Sequence, residues 1–164
     1  MPDWITHILA AWILCTILSF RYKQFNPANT AICMVGALLP DVYKIIIPLG
    51  NMGIHLENFL MPIHLPIGSF ILATVLALFF KERKVVFSFL VLGFLTHYAL
   101  DSLLINLNSG IYMLFPFSWA FWQLNLIPDD DFHITVVTIV LAAWVYLVSF
   151  WIKKRNNSNK ISGT

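Results

Sequence analysis

Residues 85–107 read VVFSFLVLGFLTHYALDSLLINL, an apolar run entered through Lys81-Glu82-Arg83-Lys84 and carrying His97 and Asp101 near its far end. A bilayer core about 30 Å thick takes roughly 20 helical residues, so this run has the length and composition of a transmembrane helix. An ionisable side chain inside such a helix is costly and marks a functional site by default. His97 and Asp101 stand at i and i+4 and share one helix face, so both can reach one ion or two neighbouring ions. Imidazole nitrogen with carboxylate oxygen suits zinc, and manganese or iron where more coordination positions exist. Gly93, one turn before His97, allows another helix or a substrate to come close. The alternative is a His–Asp hydrogen bond that only ties neighbouring turns together.

The rest of the chain is of the same kind. Of 164 residues, 59% are hydrophobic and 11% charged, with mean hydropathy +0.79, whereas soluble domains carry about a quarter charged residues. The expected fold is all-α: an integral membrane helical bundle of about five spans, with residues 1–152 embedded and 153–164 a disordered cytoplasmic tail. Besides residues 85–107, the spans are Trp4 to Phe20, a helix capped by Asn29 or Thr30 and running to Leu39, one from near His64 to Lys81, and His133 to Ile152. Pro40-Asp41 ends the second helix, and residues 42–63, with Pro48, Gly50, Gly53 and Pro62, read as an irregular, partly interfacial connection. Residues 112–122, aromatic and broken by Pro116, also belong at the interface. The Met-Pro-Asp start lacks the basic region of a signal peptide, so the first run is kept as a mature span. Cys15 and Cys33 fall in apolar runs outside any CxxC pair and read as buried thiols.

Three basic clusters, Arg21/Lys23, Lys81 to Lys84 and Lys153 to Arg155, each stand at a span end, and alternate crossings place all three on one side. The positive-inside rule makes that side cytoplasmic, with the N-terminus outside. Helical rise then gives depth. His7 lies about 21 Å from Arg21, Asp41 about 27 Å from Lys23, and His64 about 26 Å from Lys81. His97 and Asp101 lie about 20 and 26 Å from Lys84. All five converge near the outer face.

Each of these groups in hydrocarbon needs a partner, and one divalent cation would serve them all. His7, Asp41, His64, His97 and Asp101 are therefore the candidate metal ligands, with Asp41 and Asp101 able also to orient a water or accept its proton. Pro62 and Pro66 flank His64 and fix where its imidazole points. Separately, each residue has an ordinary reading: an interfacial cap for Asp41, or a histidine bonded to a carbonyl for His7. His55 with Glu57 could replace one ligand, and His133 behind Asp129-Asp130-Asp131 reads as an acidic surface turn before a helix. No nucleophile elbow, P-loop, dinucleotide fingerprint or HExxH competes. Inner halves of the spans such as Ile13 to Phe20 and Leu72 to Phe80 offer only Cys15, Thr16, Ser19 and Thr74 as polar stepping points, which argues against a transport path.

His7, Leu39-Pro40-Asp41, His64, Gly93-x-x-x-His97-x-x-x-Asp101 and Leu114-Phe115-Pro116-Phe117-Ser118-Trp119 together resemble the membrane-bound metal-dependent hydrolase family. That family is labelled LexA-binding, inner-membrane-associated and YdjM-like. The resemblance covers the first span to about Asn125. The order of ligand types is also similar, more distantly, to the zinc phospholipase C and single-strand nuclease superfamily. That similarity implies that Asp41, His64, His97 and Asp101 hold a first metal, with Asp101 and His7 contributing to a second. Two positions depart from the family pattern: Tyr43 stands where a second Asp is usual, and Ile63-His64-Leu65-Pro66-Ile67-Gly68-Ser69 replaces a His-Arg-Gly-x-x-His-Ser stretch. A mononuclear or degenerate site therefore stands open beside a multinuclear one.

The expected activity is metal-dependent hydrolysis of a phosphoester, a lipid headgroup for preference because the site lies at headgroup depth, using a metal-activated water. The expected cofactor is a divalent metal, zinc first, and the expected partner is membrane lipid, with no nucleic acid. A regulatory LexA-type partner rests on the family label alone. The alternative is a non-catalytic membrane protein whose His/Asp cluster holds a structural metal or forms a polar network.

Overall fold

The computed structural model describes residues 3–56, 60–103, 105, 112–120, 122–127 and 131–161. Its elements are α1 (Trp4–Ser19), α2 (Pro27–Leu38), a 3-10 helix (Leu39–Ile45), α3 (Ile46–Asn51), a 3-10 turn (Met61–His64), α4 (Pro66–Leu78), α5 (Arg83–Leu103) and α6 (Asp131–Ile161). The all-α class is as expected, but five full spans are not supported. Among the described residues, three helical stretches are long and apolar enough to cross a membrane: Pro27–Asn51, Arg83–Leu103 and Phe132–Arg155. The remaining two are shorter. The 16 residues of α1 extend about 24 Å, and the 13 of α4 about 20 Å.

Proline chemistry explains most departures from the expected boundaries. Leu65, before Pro66, is extended (φ −81°, ψ 147°), as a residue preceding proline prefers. Hence α4 begins at Pro66 and leaves His64 in the preceding turn. Asn26, not Asn29 or Thr30, caps α2: its side chain accepts from the Asn29 amide at 2.9 Å, and Pro27 takes the first helical position, where its missing N–H is no loss. Pro40 does not break the chain out of helical conformation. It sits in the first turn of the 3-10 helix, so α2, the 3-10 helix and α3 form one 25-residue apolar stretch. The connection after Asn51 is irregular as far as it is described, with Gly53 at φ +79°.

The helix α6 continues through Lys153-Lys154-Arg155 to Ile161, where a disordered tail from residue 153 was expected. No proline or glycine interrupts residues 131–161, and a formed helix extends at little cost per residue. The aromatic stretch forms turns at 113–117, with Phe117 and Trp119 largely exposed, as an interfacial segment would be.

Small residues set the packing. Ala11, Cys15, Cys33 and Ala37 are fully buried with Phe89 where α1, α2 and α5 meet, and both cysteines are free thiols. The closest pairing is α2 on α5. A Cβ on Gly93 would overlap the Cys33 carbonyl oxygen and the Ala37 nitrogen, and one on Gly36 would overlap the backbone of Leu90. Gly93 thus admits a helix, one of the two options open from its spacing. On the other side of α5, Ala73 and Ala77 of α4 pack with Val86, Leu90, Phe94 and Tyr98.

The N-termini of α1 and α6 are joined. Asp3 caps α1 by accepting from the Thr6 amide at 2.7 Å and also accepts from the Thr135 hydroxyl at 3.0 Å. The Thr6 and Thr135 hydroxyls meet at 3.0 Å. With α1 and α6 parallel and α5 antiparallel to α1, the basic clusters fall at one end of the bundle and the His/Asp residues at the other.

Candidate metal centre

Each side chain of the centre is aimed by a local device. His97, one turn beyond the Gly93 crossing, reaches back to α2, and its Nδ1 lies 2.9 Å from the Ala37 carbonyl oxygen. A carbonyl only accepts, so Nδ1 carries the proton and Nε2 keeps a free lone pair. That Nε2 faces Asp101 Oδ2 at 3.1 Å and Asp41 Oδ1 at 3.8 Å. From α1, His7 places Nε2 3.5 Å from Asp101 Oδ1, and its ring stacks on that of His97 with centroids 3.8 Å apart.

His64 is held from three sides. Its Nδ1 donates to the Pro40 carbonyl at 3.2 Å, leaving Nε2 unprotonated as in His97. Its own carbonyl accepts from the Tyr98 hydroxyl at 3.1 Å. The Tyr98 hydroxyl also meets Ser69 Oγ at 2.8 Å, which in turn donates to the Ile63 carbonyl at 2.9 Å. Gly68 lets the 3-10 turn sit directly on α4, since a Cβ there would overlap the Pro62 carbonyl. Tyr43, in the position of a second aspartate, stacks obliquely on His64 with centroids 4.7 Å apart.

The centre is buried and under-satisfied. His7 and His97 are fully buried, Asp41 is 1% and Asp101 2% exposed. Among the described residues, seven buried side-chain nitrogen or oxygen atoms have no hydrogen-bond partner, and six belong to this cluster: His7 Nδ1 and Nε2, Asp41 Oδ1, His97 Nε2, and both oxygens of Asp101. Buried polar atoms are normally paired, and each one left alone costs about 1–3 kcal/mol. Imidazole lone pairs facing carboxylate oxygens form the donor set that a divalent cation satisfies. Two groupings bring such atoms within 4.8 Å of one another: His7, His97 and Asp101, and Asp41, His64 and His97. The buried His/Asp groups can hold a metal ion.

All five residues singled out in the sequence meet here. His55 and His133 are exposed and belong to neither grouping; Glu57, Asp129 and Asp130 lie outside the described residues. Sequence reasoning passed over Lys44, whose Nζ pairs with Asp41 Oδ2 at i, i+3. It also left the Ser69–Tyr98 support unassembled. The Lys44 signal was present, an acid and a base three apart, but became visible only once the chain stayed helical past Pro40.

The profile of the family described as YdjM inner membrane protein matches residues 1–161. No curated protein and no solved structure gives a match. On a match over nearly the whole chain, this protein belongs to the YdjM inner membrane protein family.

Proposed function

We propose that this protein is a membrane-bound metal-dependent hydrolase that cleaves a phosphoester, of lipid-headgroup type, at the outer face of the membrane. The observation that carries the reading is the convergence of six unsatisfied buried nitrogen and oxygen atoms on four residues from α1, the 3-10 helix and α5. In this reading His97 holds the ion with Asp41 and Asp101, and His7 and His64 complete the set from either side. A bound divalent ion, zinc first, supplies Lewis acidity toward a water and a phosphoryl oxygen.

The chain's own residues supply the rest. The Ala37 carbonyl fixes the His97 tautomer, and such outer partners raise ligand basicity. Asp101, with both oxygens unpartnered, has a second oxygen able to orient a water and take its proton. In Asp41 the second oxygen, Oδ2, is the one Lys44 holds, so Asp41 can orient a water but is the poorer proton acceptor. Lys44 holds Asp41 on one side and is the ammonium nearest the centre, placed to meet an anionic oxygen. The N-terminus is outside and the C-terminus cytoplasmic; Arg21, Lys81 to Lys84 and Lys153 to Arg155 at the opposite end of the bundle support this.

The near-complete burial of His7, Asp41, His97 and Asp101 favours a second reading, a structural metal that pins helices together. Elemental analysis of detergent-purified wild type beside Asp101→Asn, paired with release of labelled phospholipid headgroup, separates the two. The hydrolase reading expects metal and headgroup release in the wild type and loss of both in the variant. Metal without release supports the structural reading, and full metal in the variant overturns the site.

A further inference from the structure

At the basic end of the bundle, away from the His/Asp centre, α1, α2 and α6 enclose a groove of about 550 Å³. Thr16, Ser19, Thr30, Ser149 and Lys153 contribute polar groups to its wall, and among the described residues no carboxylate lines it. A second groove of about 450 Å³ abuts it toward mid-membrane; the two share Trp12, Met34 and Tyr146, and the second adds Leu9, Ile139 and Ala142. The lining thus grades from cationic and hydroxylated to largely apolar along one face.

Ser149 stands out at the polar end. It is only 7% exposed, and its hydroxyl has no partner. Several hydroxyls elsewhere in the bundle bond back to a carbonyl three or four residues earlier, among them Ser19 to Thr16, Thr74 to Phe70, Ser88 to Lys84 and Thr138 to Ile134. Ser149 instead faces the groove with its donor unspent, which is costly for a buried hydroxyl.

We propose that this face binds one anionic glycerophospholipid from the leaflet on the basic side. Its phosphate sits at Lys153, its glycerol-ester oxygens accept from Ser149, and an acyl chain runs along Trp12, Met34 and Tyr146. The amphiphilic gradient matches a lipid in register with the bilayer, and the single positive charge with no opposing carboxylate selects an anionic headgroup. This lipid is not the substrate of the proposed hydrolysis, because the groove and the His/Asp centre stand at opposite ends of the bundle.

The test is native mass spectrometry of the full chain in detergent, titrated separately with phosphatidylglycerol, phosphatidylcholine and inorganic phosphate. One phosphatidylglycerol per chain is expected to survive activation that strips phosphatidylcholine, with no retention of inorganic phosphate. Lys153→Gln removes one juxtamembrane charge and should weaken retention about fivefold, and Ser149→Leu should abolish it by filling the groove. Equal retention of the two lipids, no retained lipid, or unchanged retention in folded Lys153→Gln would overturn the proposal. If Ser149→Leu fails to fold, the wild-type lipid comparison and Lys153→Gln decide alone. Metal content has no part in this readout, so its outcome is separable from that of the proposed hydrolase centre.

Discussion

His97 donates its Nδ1 proton to the Ala37 carbonyl at 2.9 Å, which joins the close crossing of α2 and α5 at Gly93 to the orientation of one imidazole. The same bond leaves Nε2 facing Asp41 and Asp101. His97→Ala is therefore expected to strip the metal, with the molar ratio per chain by elemental analysis falling to background. Full occupancy after His97→Ala would remove it from the ligand set.

The crossing itself can be loosened without touching a ligand. Gly93→Ala drives a methyl into the Cys33 carbonyl and the Ala37 nitrogen, and overpacking of this kind costs about 1–3 kcal/mol. Thermal unfolding in detergent should shift downward, and metal affinity should weaken as the Ala37 oxygen moves off His97. Gly36→Ala, which meets Leu90 instead, serves as the comparison: similar destabilisation with a smaller effect on metal. Unchanged stability in both variants would refute the close-packing account.

Lys44 is ion-paired with Asp41, which in the proposed centre it would share with a bound cation. Replacing Lys44 with Met removes a positive charge beside the centre, so metal should bind more tightly in competition with a chelator. In the same variant, hydrolysis of an anionic phosphoester should fall if the ammonium meets the substrate. Weaker metal binding would show instead that the ion pair chiefly holds Asp41 in position.

Asp3 performs two tasks, capping α1 and receiving the Thr135 hydroxyl of α6. Loss of an N-cap costs about 1 kcal/mol, so Asp3→Ala should lower stability by at least that amount. Asn also caps well, so Asp3→Asn should be milder. Limited proteolysis of the segment before α6 would report the freed contact, and identical digestion of both variants would deny the link.

Metal removal gives a reading independent of activity. A ligand bound only to the folded state, present at about 100 times its Kd, stabilises by about 2.7 kcal/mol. Exhaustive chelation should lower the unfolding temperature, and zinc should restore it. Chelation without effect would leave the six unsatisfied atoms without an ion to account for them.

What could be read from the chain was whatever repeats along a helix. Apolar runs ended by Arg21, Lys81 and Lys153 gave the helices and their common basic end, and rise per residue carried five ionisable groups to one depth. The i, i+4 spacing of His97 and Asp101 gave their shared face. Steps in proline geometry were legible and partly misjudged: Pro66 delays α4, Pro27 starts α2, and α2 does end just before Pro40, as expected, but passes into a 3-10 helix and not an irregular connection. That last error hid Lys44, because i, i+3 pairing has meaning only in a continuing helix. The Ser69–Tyr98–His64 support joins separate elements through single hydrogen bonds, which no local pattern encodes.

The helix α6 touches the bundle chiefly through α1, and none of the five convergent residues comes from it. Asp101 is the last of them in the chain. During synthesis, then, every side chain of the centre has been made before α6 begins. N-terminal segments fold first, so the centre can assemble while the final helix is still being made. Insertion of α6 would then close a finished structure along its flank, and errors in that late step need not damage the chemistry made before it.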